Sequence, residues 1–133
     1  MKRPSRDLKA NLLKAATRLV ANHGYAGTSV QQVVSEARAT KPALYYYFRS
    51  KAGLCQALVD HAYQERMRLM QQARDEDDSM EEQLVAICRA LLDFAVEHRD
   101  LMRICFATAF AAPGELPAEI RMMKQRKLQK LLP

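Results

Sequence analysis

Along almost the whole chain, apolar residues recur three and four positions apart, the period of an α-helix. Leu8, Leu12, Ala15, Ala16, Leu19 and Val20 form one such stripe, with Ser5 available as a cap and Gly24 placed to end the turn after His23. A shorter segment, from Ser29 to about Ala37, carries Val30, Val33, Val34 and Ala37 inward behind a Thr28 cap. A third helix starts from Thr40, with Pro42 in the first turn where its missing N–H costs nothing, and ends near Tyr47 or Phe48. Ser50 caps a fourth, from Lys51 to about Arg74, with Leu54, Leu58, Ala62 and Leu69 on one stripe and Val59, Tyr63, Met67 and Met70 beside it. Two adjoining stripes call for contacts on two sides. Asp75 to Asp78 reads as a loop, and Ser79 with Glu82 supplies a capping box for a fifth helix reaching about His98. Leu101 to Ala111 forms an apolar sixth helix, and Pro117 opens a seventh that turns basic toward Lys130.

The composition agrees with an all-α fold: of 133 residues none is Trp, 4 are Gly and 5 are Pro. The net charge of +6 hides a division. Residues 1–51 hold ten Lys or Arg against Asp7 and Glu36, whereas the remainder is slightly acidic. Such a split fits a nucleic-acid-binding head on a near-neutral body, or a merely basic soluble surface. Cys55, Cys88 and Cys105 are widely spaced and odd in number, so they indicate neither a disulfide framework nor a zinc site, and read as thiols in a reducing compartment. No apolar h-region follows Lys2 and Arg3, and no run of 18 apolar residues occurs, so the expected location is the cytoplasm, away from membrane. His23, His61 and His98 are far apart, and no phosphate-cradling glycine loop or nucleophile elbow is present, which argues against an enzyme and implies no cofactor or metal.

Two short helices joined by a short link and braced by a longer first helix describe a helix-turn-helix, giving a DNA-binding domain at 1–50 followed by a further helical domain at 51–133. In the third helix, Leu44 and Phe48 stand four apart and form an inward stripe. Tyr45, Tyr46 and Tyr47 cannot all follow them, since each residue turns the helix by about 100°. An outward tyrosine can lie along sugar or a thymine methyl while its hydroxyl donates to a phosphate, and small residues such as Pro42 and Ala43 let the backbone approach base edges. The expectation is that Tyr45 and Tyr47 face DNA; Tyr46 is the ring that would pack inward if one does. A further phosphate site is expected at the helix starts beside Thr28, Thr40 and Ser50, with Thr28 and Lys51 clamping the DNA backbone.

The stretch HGYAGTSVQQVVSEARATKPALYYYFRSKAGLCQAL, His23 to Leu58, resembles the DNA-binding signature of the TetR family of bacterial transcriptional regulators. The match includes Gly24-Tyr25, Thr28-Ser29-Val30, Lys41-Pro42-x-Leu44-Tyr45-Tyr46-x-Phe48 and Ser50-Lys51. The resemblance implies a homodimer on a palindromic operator in double-stranded DNA, usually repressing and released by a small ligand. Its contact positions fall on Thr28, Gln31, Thr40, Lys41, Pro42, Ala43, Tyr45, Tyr46, Tyr47 and Lys51. The basic arm with Lys2 and Arg3 would add phosphate contacts. Where the family often has glycine, between the second and third helices, this chain has Arg38; the expectation is a link whose conformation arginine tolerates, a left-handed angle there being the sign of strain.

The family's regulatory half binds ligands in a helical cavity, for which Leu91, Phe94, Met102, Cys105, Phe106, Phe110 and Met122 are the candidates here. Met and Phe at this spacing are more often plain core. If they line a pocket, the effector is a small apolar or aromatic molecule. Family members normally continue into two more long helices that build the dimer interface, so the second domain reads as truncated. A basic helical interaction module without sequence-specific DNA binding is the rival reading.

Overall fold

The computed structural model describes residues 6–75 and 78–131. Seven helices follow one another: α1 (Arg6–His23), α2 (Val30–Glu36), α3 (Lys41–Phe48), α4 (Lys51–Ala73), α5 (Met80–Glu97), α6 (Arg99–Ala109) and α7 (Ala118–Leu131). No strand occurs among the described residues, and none of their helices is long and apolar enough to cross a membrane. The proposed cap Ser5 and the basic arm of Lys2 and Arg3 lie outside the described residues, as do Glu76 and Asp77 of the acidic run.

Helix boundaries follow local chemistry. α1 ends where Gly24, at φ 74°, donates its N–H to the Val20 carbonyl at 2.8 Å, closing the last turn in a conformation that costs glycine nothing. Thr40, Ser50 and Ser79 cap α3, α4 and α5, their hydroxyl oxygens accepting from the N–H groups of Ala43, Gly53 and Glu82. Ser79 and Glu82 form the reciprocal box expected of them. α2 is capped by Ser29 rather than Thr28. The Ser29 hydroxyl accepts from Gln32 N at 3.1 Å and the Gln32 side chain accepts from Ser29 N at 2.9 Å.

Two clusters fill the interior. The first joins Leu12, Ala15 and Ala16 of α1 to Val33 and Val34 of α2, Leu44 and Phe48 of α3, Leu54 and Leu58 of α4 and Ile104 of α6. The second gathers Ala62, Phe94 and Leu101, with Leu69, Met102 and Cys105 packed against it. α4 contributes to both through one stripe, Leu54 and Leu58 to the first and Ala62 and Leu69 to the second; of the adjoining stripe, among the described residues, only Val59 packs against a cluster, the first.

Both ends of α3 are held by arginines in the left-handed half of backbone space. Arg38 has φ 53° and Arg49 φ 67°. The expectation of an arginine-tolerant link at Arg38 is therefore overturned: the chain reverses within three residues between α2 and the Thr40 cap, with Ala39 N donating to Val34 O at 2.8 Å, and this tight return demands a positive φ. At Arg49, with ψ −33°, Ser50 N donates to the Phe48 carbonyl at 2.8 Å, a positive-φ γ-turn.

Candidate nucleic-acid interface

The three-tyrosine run is sorted by the Leu44–Phe48 anchor. Both anchors are buried in the first cluster. On a helix of about 100° per residue the point opposite their midline falls at Tyr46, with Tyr45 and Tyr47 on the two flanks. Tyr46 is 71% exposed and Tyr45 45% exposed. Tyr47 is the ring packed against the core, in tilted contact with the Phe48 ring at 6.1 Å and edge-on to Tyr46 at 5.2 Å. Tyr46 is thus not the inward ring; that part belongs to Tyr47. Lys41, Pro42 and Thr40 are exposed beside Tyr45 and Tyr46, and Ala43 is half-buried. The outer side of α3 therefore combines one ammonium, a proline without an N–H, a small side chain and two phenols. That set can enter a major groove and meet base edges and phosphates together.

The flanking helix starts divide. Thr40 and Ser50 accept capping bonds, and a hydroxyl that accepts still has its hydrogen to donate to an anion. Gln31 is exposed on α2 and its amide donates to the Ser35 hydroxyl at 3.1 Å. Thr28 differs. It is only 3% exposed and its hydroxyl donates to the Gly24 carbonyl at 2.8 Å, so the side chain is spent on the turn between α1 and α2. Lys51, at the first position of α4, has its ammonium 4.3 Å from the centroid of the Tyr25 ring. Residue periodicity did not single out Tyr25, since it lies in the turn after α1 while Lys51 opens α4; the Gly24-Tyr25 pair entered only as a helix-ending motif.

The seven residues considered for a ligand pocket do not share one environment. Phe94, Met102 and Cys105 belong to the second cluster and Leu91 is half-buried. Phe106 and Phe110 stack with centroids 6.0 Å apart on the exterior, Phe110 being 80% exposed, and Met122 is also exposed. An open concavity of about 1020 Å³ lies elsewhere, between α1 and the α5–α6 corner, and its walls mix Lys14, Arg18, Arg38 and Arg99 with Glu36, Glu97 and Asp100.

The model of the bacterial regulatory proteins of the tetR family matches residues 12–58. Over 100 residues the chain is 28% identical to the probable HTH-type transcriptional regulator YttP of Bacillus subtilis, covering 74% of this chain and 48% of that protein. Over 98 residues it is 30% identical to the HTH-type transcriptional repressor NicS of Pseudomonas putida, covering 71% and 44%. The chain thus spans about half the length of these relatives or less. A TetR-like transcriptional regulator from Rhodococcus sp. RHA1 superposes with a TM-score of 0.79 at 23% identity, over 94% of this chain and 67% of that one, which shows a common fold.

Proposed function

Because residues 12–58 make this chain a member of the TetR family of bacterial regulatory proteins, we propose that it represses transcription by binding a palindromic operator as a homodimer. α3 of each copy would enter a major groove, the two grooves lying about one helical turn, ~34 Å, apart. The observation that carries this reading is the outward set on α3: Leu44 and Phe48 inside, Lys41, Pro42, Tyr45 and Tyr46 outside. Two large aromatic rings stand exposed on an eight-residue helix, outside the buried cluster, and their hydroxyls suit phosphate oxygens. Lys41, Pro42 and Ala43 read base edges; Thr40, Tyr45, Tyr46, Gln31 and Lys51 fix register on the backbone. Thr28 and Tyr47 support this surface from beneath.

Release by a small apolar or aromatic effector in the α4–α7 half completes the proposal; Phe94, Met102 and Cys105 of the second cluster, with half-buried Leu91 one turn before Phe94 on α5, are the positions nearest to a lining.

Selection of binding sites from random duplexes tests the whole. A two-fold symmetric consensus, bound far more tightly than bulk duplex and steeply weakened by salt, is the expected result. Equal affinity for every sequence would instead assign the basic head to a general acidic partner.

A further inference from the structure

Lys51 is held by a ring rather than by an acid. Its Nζ lies 4.3 Å from the Tyr25 centroid, within the range in which a cation is attracted to an aromatic face. The ion pairs Arg18–Glu36 and Arg68–Glu65 do not involve Lys51, and among the described residues no carboxylate pairs with its ammonium. The distinction matters to a phosphate. A carboxylate would neutralise the ammonium and repel an incoming anion, whereas an aromatic face steadies the ammonium and leaves its full charge available.

Tyr25 is itself fixed. It follows Gly24, whose N–H is bonded to Val20 O, and its own carbonyl accepts from Thr28 N at 3.3 Å. The Thr28 hydroxyl closes the same loop onto Gly24 O. The ring is half-buried against α4 beside Cys55, and burial, with Cys55 and Glu119 nearby, raises its hydroxyl pKa, so the phenol stays neutral under the lysine. A lysine has a flexible four-carbon stem, and left alone at a helix start it would sample many rotamers.

We propose that Tyr25 is a positioning residue for DNA binding, its ring face presenting the still-charged Lys51 ammonium at the start of α4 to a phosphate. This rests on the reading of Lys51 as a phosphate ligand. It also gives Thr28 a part to play, since the buried hydroxyl holds the loop that carries the ring.

The test is a double-mutant cycle on binding of a mixed-sequence duplex. Tyr25→Leu should weaken binding about two- to fivefold, the worth of an exposed cation–π contact, and Tyr25→Phe, which keeps the face, should restore it. In a Lys51→Ala background Tyr25→Leu should change nothing further. An equal loss from Tyr25→Leu with and without Lys51 would make the ring merely structural, and a Tyr25→Phe as weak as Tyr25→Leu would give the role to the hydroxyl; either overturns the proposal. Identical salt dependence in wild type and Lys51→Ala would separately remove Lys51 from the phosphate contacts. Should Tyr25→Leu not fold, the ε-methylene protons of Lys51 in the wild-type chain decide: ring-current displacement upfield of the other lysines supports the contact, and ordinary shifts refute it.

Discussion

The carbonyl oxygen of Phe48 occupies the place where a side chain on Gly53 would begin, 2.1 Å from the position of a β-carbon there. The γ-turn at Arg49 folds that carbonyl back over the first turn of α4, so the strained turn and the missing side chain belong to one arrangement. Gly53→Ala forces the end of α3 away from the start of α4. We expect a loss of about 1–3 kcal/mol in urea unfolding, as for other overpacked sites, together with weaker DNA binding. A fully stable Gly53→Ala would show that the two helices are not set by this contact.

The arginines at the two ends of α3 sit in a region where a β-carbon costs roughly 1–2 kcal/mol. Arg38→Gly should raise stability by about 0.5–1 kcal/mol, the relief being partly offset by the freer unfolded chain. Arg38→Ala should bring no such gain, and equal effects of the two would mean that the backbone angle is not the source.

How far these features could be read from the chain depends on their range. The Leu44–Phe48 stripe, the Thr40, Ser50 and Ser79 caps and all seven helices are local patterns, and they appear within a few residues of where the spacing put them. The choice of Ser29 over Thr28 was also local: Gln32, three residues on, completes a capping box with Ser29 and marks it as the cap. The fate of the tyrosines was only half local. Helical geometry sets Tyr46 opposite the stripe but leaves Tyr45 and Tyr47 symmetric about it, and packing against α1, α2 and α4 breaks that tie. The Tyr25–Lys51 contact joins distant positions and no periodicity announces it.

Thr28 separates a structural hydroxyl from a DNA-contacting one. Thr28→Val removes the donor to Gly24 O and should cost about 1 kcal/mol of stability, while Thr28→Ser keeps the bond and most of that energy. Calorimetry of the two variants without DNA measures this directly. If Thr28→Val is as stable as the parent and loses only DNA affinity, the hydroxyl acts on the phosphate instead.

Burial pushes the Cys55 thiol up from the usual 9.0 to about 11, while nearby Lys51 opposes the shift. The folded state therefore favours the neutral thiol. Stability is unaffected below about pH 9, where the thiol is neutral in both states, and falls by roughly 2–3 kcal/mol as pH rises through the folded value. Exposed Cys88 should react with a thiol reagent at pH 8 well before Cys55, which should require unfolding. Equal labelling rates would contradict the burial.

On DNA, Lys51→Ala should flatten the dependence of log affinity on log salt by about 0.9 per protomer, because one phosphate contact is lost. Ala43→Gln, on α3, should change which sequence is preferred at a cost of ~1–3 kcal/mol for the old site. A Lys51→Ala slope equal to that of the parent, or an unchanged preference with Ala43→Gln, would displace the residue concerned from its assigned contact.

The first cluster reaches outside the helix-turn-helix: Leu54 and Leu58 come from the first half of α4, and Ile104 from α6, far along the chain. The reading head therefore has no floor of its own. Severed after residue 50 it would lose the side chains that close Leu12, Val33 and Leu44 from water, so the proposed grip on a duplex and the condition of the helices behind it would be one mechanical matter.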